Sequence, residues 1–225
     1  MNDKERVARQ TAGLVKDGML VGLGTGSTAN YFIEALAQRS DKEGLCVQTV
    51  SSSVVSAIKA RQMGLPLVAV EHVRKLDLYV DGADEVAPDL TLLKGRGYDL
   101  VREKLLAKAA DAFWVLVDDS KLVDRIGARF PIPVEVMPFA WQMVQQSLEA
   151  LGGKAELRQN AAKDGLAITS YGSLVLDVVF DPEQDSKTIN DALNAIPGVV
   201  EHGIFLGLTS AVFIGSGGQV EERRS

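Results

Sequence analysis

Three carboxylates crowd the segment Val80–Glu85, where the apolar run LDLYV ends in DGADE. An ordinary turn uses one Asp and one Gly, so this much negative charge needs cations or hydroxyls converging on it. Asp81 and Asp84, flanking Gly82 and Ala83, would be short, rigidly placed acceptors suited to sugar hydroxyls and to proton transfer. The bland alternative is a solvated turn in which Asp84 or Glu85 caps the next few residues.

The stretch KGRGYDLVREK (94–104) is richer. Lys94 follows the apolar LTLL, Gly95 and Gly97 bracket Arg96, and a helix then opens carrying Glu103. At about 100° per residue, Glu103 shares its helix face with Leu100, Leu106, Ala107 and Ala110. Residues 99 and 107 are Asp and Ala, so an i,i+4 cation is missing. A carboxylate with apolar neighbours is partly desolvated, which moves it toward the range of a general base near neutrality.

GLGTGSTA (22–29) joins an apolar run to a helix, where exposed N–H groups and hydroxyls make a natural anion site. The spacing also fits a dinucleotide pattern, yet CVQTV runs into Ser51-Ser52-Ser53 instead of an acidic ribose ligand, and the P-loop lysine is missing. A phosphate or sugar-phosphate cradle suits it better than a nucleotide site or a plain turn. One of the three serines reads as a helix N-cap, and three in a row after a strand's carboxyl end equally suit the lining of a polar pocket. DDSK (118–121) brings Lys121 to another strand end, and His202 reads as a structural or interface residue.

Composition narrows the chemistry. The 225 residues are 46% hydrophobic and 24% charged, ordinary for a globular chain. A net charge of −6 argues against a nucleic-acid partner but leaves room for a locally bound phosphate. One cysteine, Cys46, excludes an internal disulfide and a Cys-based zinc site, and two histidines make a transition-metal site an unpromising reading. No apolar run reaches the roughly 18 residues of a membrane span, and the N-terminus has no apolar signal core, so a cytoplasmic protein is expected. No cofactor is called for.

The elements that must position these residues alternate. Helices are expected at 4–16, 28–38, 54–63 and 99–110, and strands at 19–23, 46–50, 67–70, 76–81 and 113–117. Such alternation implies βαβ units and a mostly parallel sheet covered by helices. In open α/β sheets ligands bind at the carboxyl ends of strands, where each of these motifs falls. At FPIPVEV (130–136) two prolines separated by one residue predict a boundary or an edge strand. Beyond it, shorter and more polar strands suit a small α+β domain, and SAVFIGS (210–216) is apolar enough to rejoin the main sheet. A base with phosphate and hydroxyl binders suits proton abstraction beside a carbonyl of a phosphorylated sugar.

In order, GLGTGSTA, SSS, DGADE, Lys94-Gly95-x-Gly97 with REK, DDSK, PIPVEV and IPGVVEHGIF (196–205) closely resemble ribose-5-phosphate isomerase of the A type over almost the whole chain. The resemblance implies interconversion of D-ribose 5-phosphate and D-ribulose 5-phosphate without a cofactor. It implies a Rossmann-like domain of residues 1–129 and 204–225, a small α+β (ferredoxin-like) domain of 130–203, and a homodimer or dimer of dimers. Ligand contacts would come from Thr25, Gly26, Ser27, Thr28, Asp81, Gly82, Ala83, Asp84, Lys94, Gly95, Arg96, Gly97 and Lys121. Glu103 would move the proton, Asp81 would help open the sugar ring, Lys94 and backbone N–H groups of the glycine turn would stabilise the developing oxyanion, and Lys94 or Lys121 would anchor the phosphate. Lys4 sits where a family lysine reaches toward the ligand.

Two departures stand out. Arg96 replaces the middle of three glycines, where its side chain would crowd the sugar, meet the phosphate or point to solvent. TSYGSLVLD (169–177) stands where the family reads TDNGN before ILD. The rival readings are a non-catalytic sugar-phosphate sensor, an isomerase retuned to another phosphorylated aldose, and a coenzyme A transferase. Sensors of this kind carry a DNA-binding domain ahead of the first strand, and here only the short segment 1–18 precedes it.

Overall fold

A computed structural model describes residues 1–225. The chain opens with α1 (Asp3–Ala12), β1 (Leu20–Leu23), α2 (Ser27–Glu43), β2 (Gln48–Ser51), α3 (Val54–Gln62) and β3 (Leu76–Asp81). Two short strands, β4 (Glu85–Val86) and β5 (Leu92–Leu93), precede α4 (Leu100–Ala109) and β6 (Ala110–Asp118). Next come β7 (Ile132–Val136), α5 (Trp141–Ala150), β8 (Lys154–Leu157), β9 (Leu174–Val179), α6 (Ser186–Asn194) and β10 (Val199–His202). The last strands are β11 (Ile204–Phe205), β12 (Ala211–Ser216) and β13 (Gln219–Arg224). These elements form two compact units.

The first unit comprises residues 1–83, 102–122 and 208–225. Its six-stranded sheet runs β13-β12-β6-β3-β1-β2, parallel except for the edge strand β13. Phe32, Ile33 and Leu36 of α2 and Val7 and Ala8 of α1 pack with Val21, Leu23, Leu78, Val80 and Phe213 from the strands. Local chemistry sets the helix limits: Asn2 accepts from Glu5 N–H at the start of α1, and Gly44, at φ +72°, ends α2 in a left-handed turn. The α/β class and the return of 210–216 to this sheet are as the sequence predicts. Two local expectations differ. The first helix stops at Ala12, and the run 67–70 gives only a single bridge, Leu67 to Thr49, before a 3-10 turn.

The second unit comprises residues 84–101 and 123–207. Its main sheet, β10-β7-β9-β8, is antiparallel with the connectivity β7-α5-β8-β9-α6-β10, a ferredoxin-like arrangement. Ile132, Val134, Val136, Leu176 and Val178 turn one face toward Val144, Leu148, Ile189 and Leu193 of the two helices. A three-stranded ribbon, β11-β5-β4, completes the unit.

Contrary to the edge assignment, β7 is an inner strand despite Pro133. In an antiparallel ladder the N–H and C=O of one residue face the same neighbour. The Pro133 carbonyl accepts from Gly203 N–H, so the side on which an N–H is missing faces Gly203, and the pairing with β9 loses nothing.

Glu135 of β7 is 1% exposed. Thr169 Oγ1 donates to its Oε1 at 2.8 Å, while its Oε2 is buried without a partner. Burial pushes its pKa up against the hydrogen bonds of Thr169 and Ser173, with Glu201 and Asp99 adding repulsion. The native state therefore holds a proton that the unfolded chain has released, and stability falls as pH rises from about 4.5 through the raised value. Glu135→Gln should lack this fall, so its urea midpoint relative to wild type should be higher at pH 7.5 than at pH 5.

Candidate functional site

In the first unit, parallel register places five strand ends side by side: Leu23 pairs with Ser51 and with Val80, Asp81 with Val115, and Gly215 with Asp118. Gly24 to Thr28, Ser51 to Ser53, Asp81 to Ala83 and Asp118 to Lys121 thus share one edge of the sheet.

Asp81 is fully buried beneath the glycine loop. Its Oδ1 accepts from Thr25 N–H at 3.0 Å and Gly82 N–H at 2.7 Å, and its Oδ2 accepts from the Tyr79 hydroxyl at 2.5 Å. Burial, then the charges of Asp81 and Glu103, push the Tyr79 pKa well up, so the phenol stays neutral and donating. A Cβ on Gly24 would lie 2.2 Å from Asp81 Cγ, so only glycine lets the loop settle there. Ser51, Ser52, Ser53 and Ser56 are all buried, and Thr25 turns its hydroxyl into them, 2.7 Å from Ser53 Oγ. Ser53 also caps α3 by accepting from Ser56 N–H.

With Thr25 turned inward, the loop presents its backbone. Gly26, at φ +114°, precedes α2 without a side-chain cap, leaving the first-turn N–H groups of Ser27 and Thr28 for an anion. Lys4 Nζ lies 3.3 Å from Ser27 Oγ and 3.7 Å from Asp118 Oδ2. Burial raises the Asp118 pKa, but hydrogen bonds from Ser120 and the charge of Lys4 outweigh it and hold the group low. Lys121 is half-buried in the 3-10 turn that follows β6. Glu103, in the first turn of α4, is 7% exposed and close enough to act electrostatically on Tyr79.

In the second unit, Glu85 is fully buried and accepts from the N–H groups of Gly127, Arg129 and Phe130 at 2.6, 2.7 and 2.9 Å. The third carboxylate of DGADE is therefore a loop anchor, close to the capping alternative. Asp84 is half-buried, its N–H bonded to Leu93 O at 2.8 Å. Lys94 is 4% exposed, its N–H donating to Gly203 O and its Nζ 5.7 Å from the Phe205 ring centroid. Gly95 has φ +95°, and a Cβ there would meet Leu100 at 2.8 Å. Arg96 is exposed, as the solvent-facing alternative has it, and its guanidinium also lies over Phe130, 3.9 Å from the ring centroid.

Sequence reasoning missed Tyr79, although its i,i+2 spacing puts it on the same strand face as Asp81. It also missed the loop-anchoring by Glu85 and the place of Ser56 in the serine cluster. No three His, Cys, Asp or Glu side chains converge as a metal site. No helix is long and apolar enough to cross a membrane.

An α/β sheet edge that gathers an uncapped helix N-terminus, buried carboxylates and lysines defines a binder of small, anionic, hydroxylated molecules. Residues 48–219 match the family model of ribose 5-phosphate isomerase A (phosphoriboisomerase A). The ribose-5-phosphate isomerase A of Thermosynechococcus vestitus is 45% identical over 94% of this chain and 90% of its own length. That of Methanothermobacter thermautotrophicus is 45% identical over 96% and 95%. The solved ribose 5-phosphate isomerase A of Methanocaldococcus jannaschii superposes with a TM-score of 0.93 at 41% identity, covering 99% of this chain and 98% of that one. A D-ribose-5-phosphate isomerase in complex with phospho-erythronic acid gives 0.95 at 37% identity over the whole of both chains. The chain belongs to the ribose 5-phosphate isomerase A family.

Proposed function

We propose that this protein interconverts D-ribose 5-phosphate and D-ribulose 5-phosphate through an enediolate, with Glu103 as the base. The observation that carries this is a carboxylate only 7% exposed, in the first turn of α4, on a chain of this family. On the open-chain aldehyde, Glu103 takes the proton from C2 while the C1 carbonyl oxygen gains the electron pair. The resulting enediolate shifts a proton between its two oxygens, and Glu103 returns its proton to C1. Nothing is oxidised or reduced overall, and no cofactor enters. In this reading Lys94 and backbone N–H groups of the glycine turn stabilise the oxyanion, and such stabilisation is usually what lowers a barrier of this kind most.

Gly26, Ser27 and Thr28 hold the phosphate through the α2 N-terminus, aided by Lys121 and Lys4, and Asp84 with Gly82 and Ala83 holds hydroxyls. Asp81, expected to open the ring, already accepts three protein donors on its two oxygens. Its role in this reading is to seat the loop. Thr25, its hydroxyl engaged below, serves the same purpose. Phospho-erythronic acid, held by a solved relative, has a planar carboxylate shaped like an enediolate, which supports the reading. A cytoplasmic homodimer or dimer of dimers completes it; the exposed Phe139 and Met143 supply apolar surface that a second copy would cover.

Incubating ribose 5-phosphate in deuterated water tests it. Ketose formation with solvent deuterium entering carbon is expected, and other pentose phosphates should turn over more slowly. Binding without ketose would mark a sensor, and faster turnover of another aldose phosphate a retuned isomerase.

A further inference from the structure

The helix-free face of the four-stranded sheet carries Pro133 and Glu135 from β7 and Asp177 from β9, opposite the core side chains of the same strands. Arg158, just beyond β8, is fixed there by its own backbone: its N–H donates to Val175 O, and its carbonyl accepts from Ala167 N–H. Its guanidinium faces Asp177, with Nε 2.9 Å from Oδ2 and Nη2 2.5 Å from Oδ1. The remaining nitrogen, Nη1, donates to the carbonyl oxygens of Gly95 at 3.0 Å and Gly97 at 3.4 Å. Ser170 holds the next residues, donating its N–H to Tyr98 O at 3.0 Å and its hydroxyl to Asp99 Oδ1 at 2.7 Å.

We propose that Arg158, locked by Asp177, is a positioning residue that sets the direction of the peptide groups in the 95–98 turn. A trans peptide is planar, with its C=O and N–H pointing opposite ways. Holding Gly95 O against Arg158 therefore aims the Arg96 N–H away from it, and holding Gly97 O does the same for the Tyr98 N–H. With φ +95° at Gly95 the backbone has unusual freedom at this point, and the guanidinium removes it. Lysine cannot substitute, because the task needs one planar group that grips a carboxylate with two nitrogens and two carbonyls with the third. The inference rests on the isomerase reading for its catalytic consequence: the aimed N–H groups are donors for the enediolate, and their alignment counts in the transition state more than in substrate binding.

The test combines hydrogen exchange with kinetics on wild type, R158M, R158K and D177N. Exchange at amides 95–99 should quicken in R158M and R158K, and less in D177N. Turnover of ribose 5-phosphate should fall about 10- to 100-fold in kcat in the two Arg158 variants, with KM changing less than about threefold, somewhat less than the roughly 100- to 1,000-fold cost of removing an oxyanion donor outright. In R158A, added methylguanidinium should restore part of kcat and methylammonium should not. Unchanged exchange across 95–99 in R158M would overturn the brace whether or not the protein turns over. Quickened exchange with kcat intact would overturn its positioning role. If wild type were silent on every pentose phosphate while exchange still quickened in R158M, the isomerase reading would fall and the brace would stand.

Discussion

Glu103→Gln should lower kcat for ribose 5-phosphate by roughly 10³-fold, within the 10²–10⁴ that a general base contributes. About 4 kcal/mol of transition-state stabilisation would be lost. The substitution keeps size and one acceptor oxygen at a site only 7% exposed, so the fold should survive. What disappears is the ability to take the C2 proton, a step with no counterpart in ground-state binding. KM should therefore stay within about threefold of wild type. Deuterium wash-in must fall in step with ketose formation, because both pass through the same abstraction. Near wild-type turnover in a folded Glu103→Gln protein would remove this residue from the mechanism. If kcat fell while wash-in persisted, Glu103 would act after the abstraction, and another base would have to be sought near Tyr79.

How much of this was legible in the sequence depends on whether the signal was local. The strand ends carrying DGADE and DDSK, and the α2 N-terminus after GLGTGSTA, follow from period and punctuation over a few residues, and the structure has them at one sheet edge. Glu103 was legible for the same reason, since helix periodicity alone gave it apolar company. The hidden parts depend on long-range pairing. Arg158 and Asp177 meet because β8 and β9 are neighbours, and Arg158 reaches the glycine turn from far along the chain. Glu85 looked like a turn residue until residues 127–130 folded over it. Pro133 misled because the rule against inner-strand prolines presumes an N–H is needed, and here the affected side of the strand asks only for a carbonyl. Arg96 left three options open because its partner, Phe130, comes from a loop that no spacing rule connects to it.

Gly24→Ala should be the most damaging single methyl group in the protein. The added carbon would sit 2.2 Å from both Asp81 Cγ and Oδ1 and 2.6 Å from Asp81 Cα. A flexible side chain could step aside; this one is held by Tyr79, Thr25 and Gly82, and the last contact is backbone. Relief requires the loop to lift, which breaks the Thr25 N–H bond to Asp81 and the Gly24 N–H bond to Val80 O. Overpacking of this kind costs about 1–3 kcal/mol or more. For a chain of this length that lowers Tm by several degrees, at roughly 2–4 °C per kcal/mol. The larger loss should be functional, because lifting the loop displaces the N–H groups of Ser27 and Thr28 from the phosphate, and kcat/KM should drop at least about 100-fold, the penalty of a misplaced binding group. Gly44→Ala is the control. Its φ of +72° brings strain, but nothing lies within 4 Å of the new carbon, so it should lose stability and keep kcat/KM. If Gly24→Ala matched Gly44→Ala in activity, close seating of the loop on Asp81 would have no bearing on how the substrate is held.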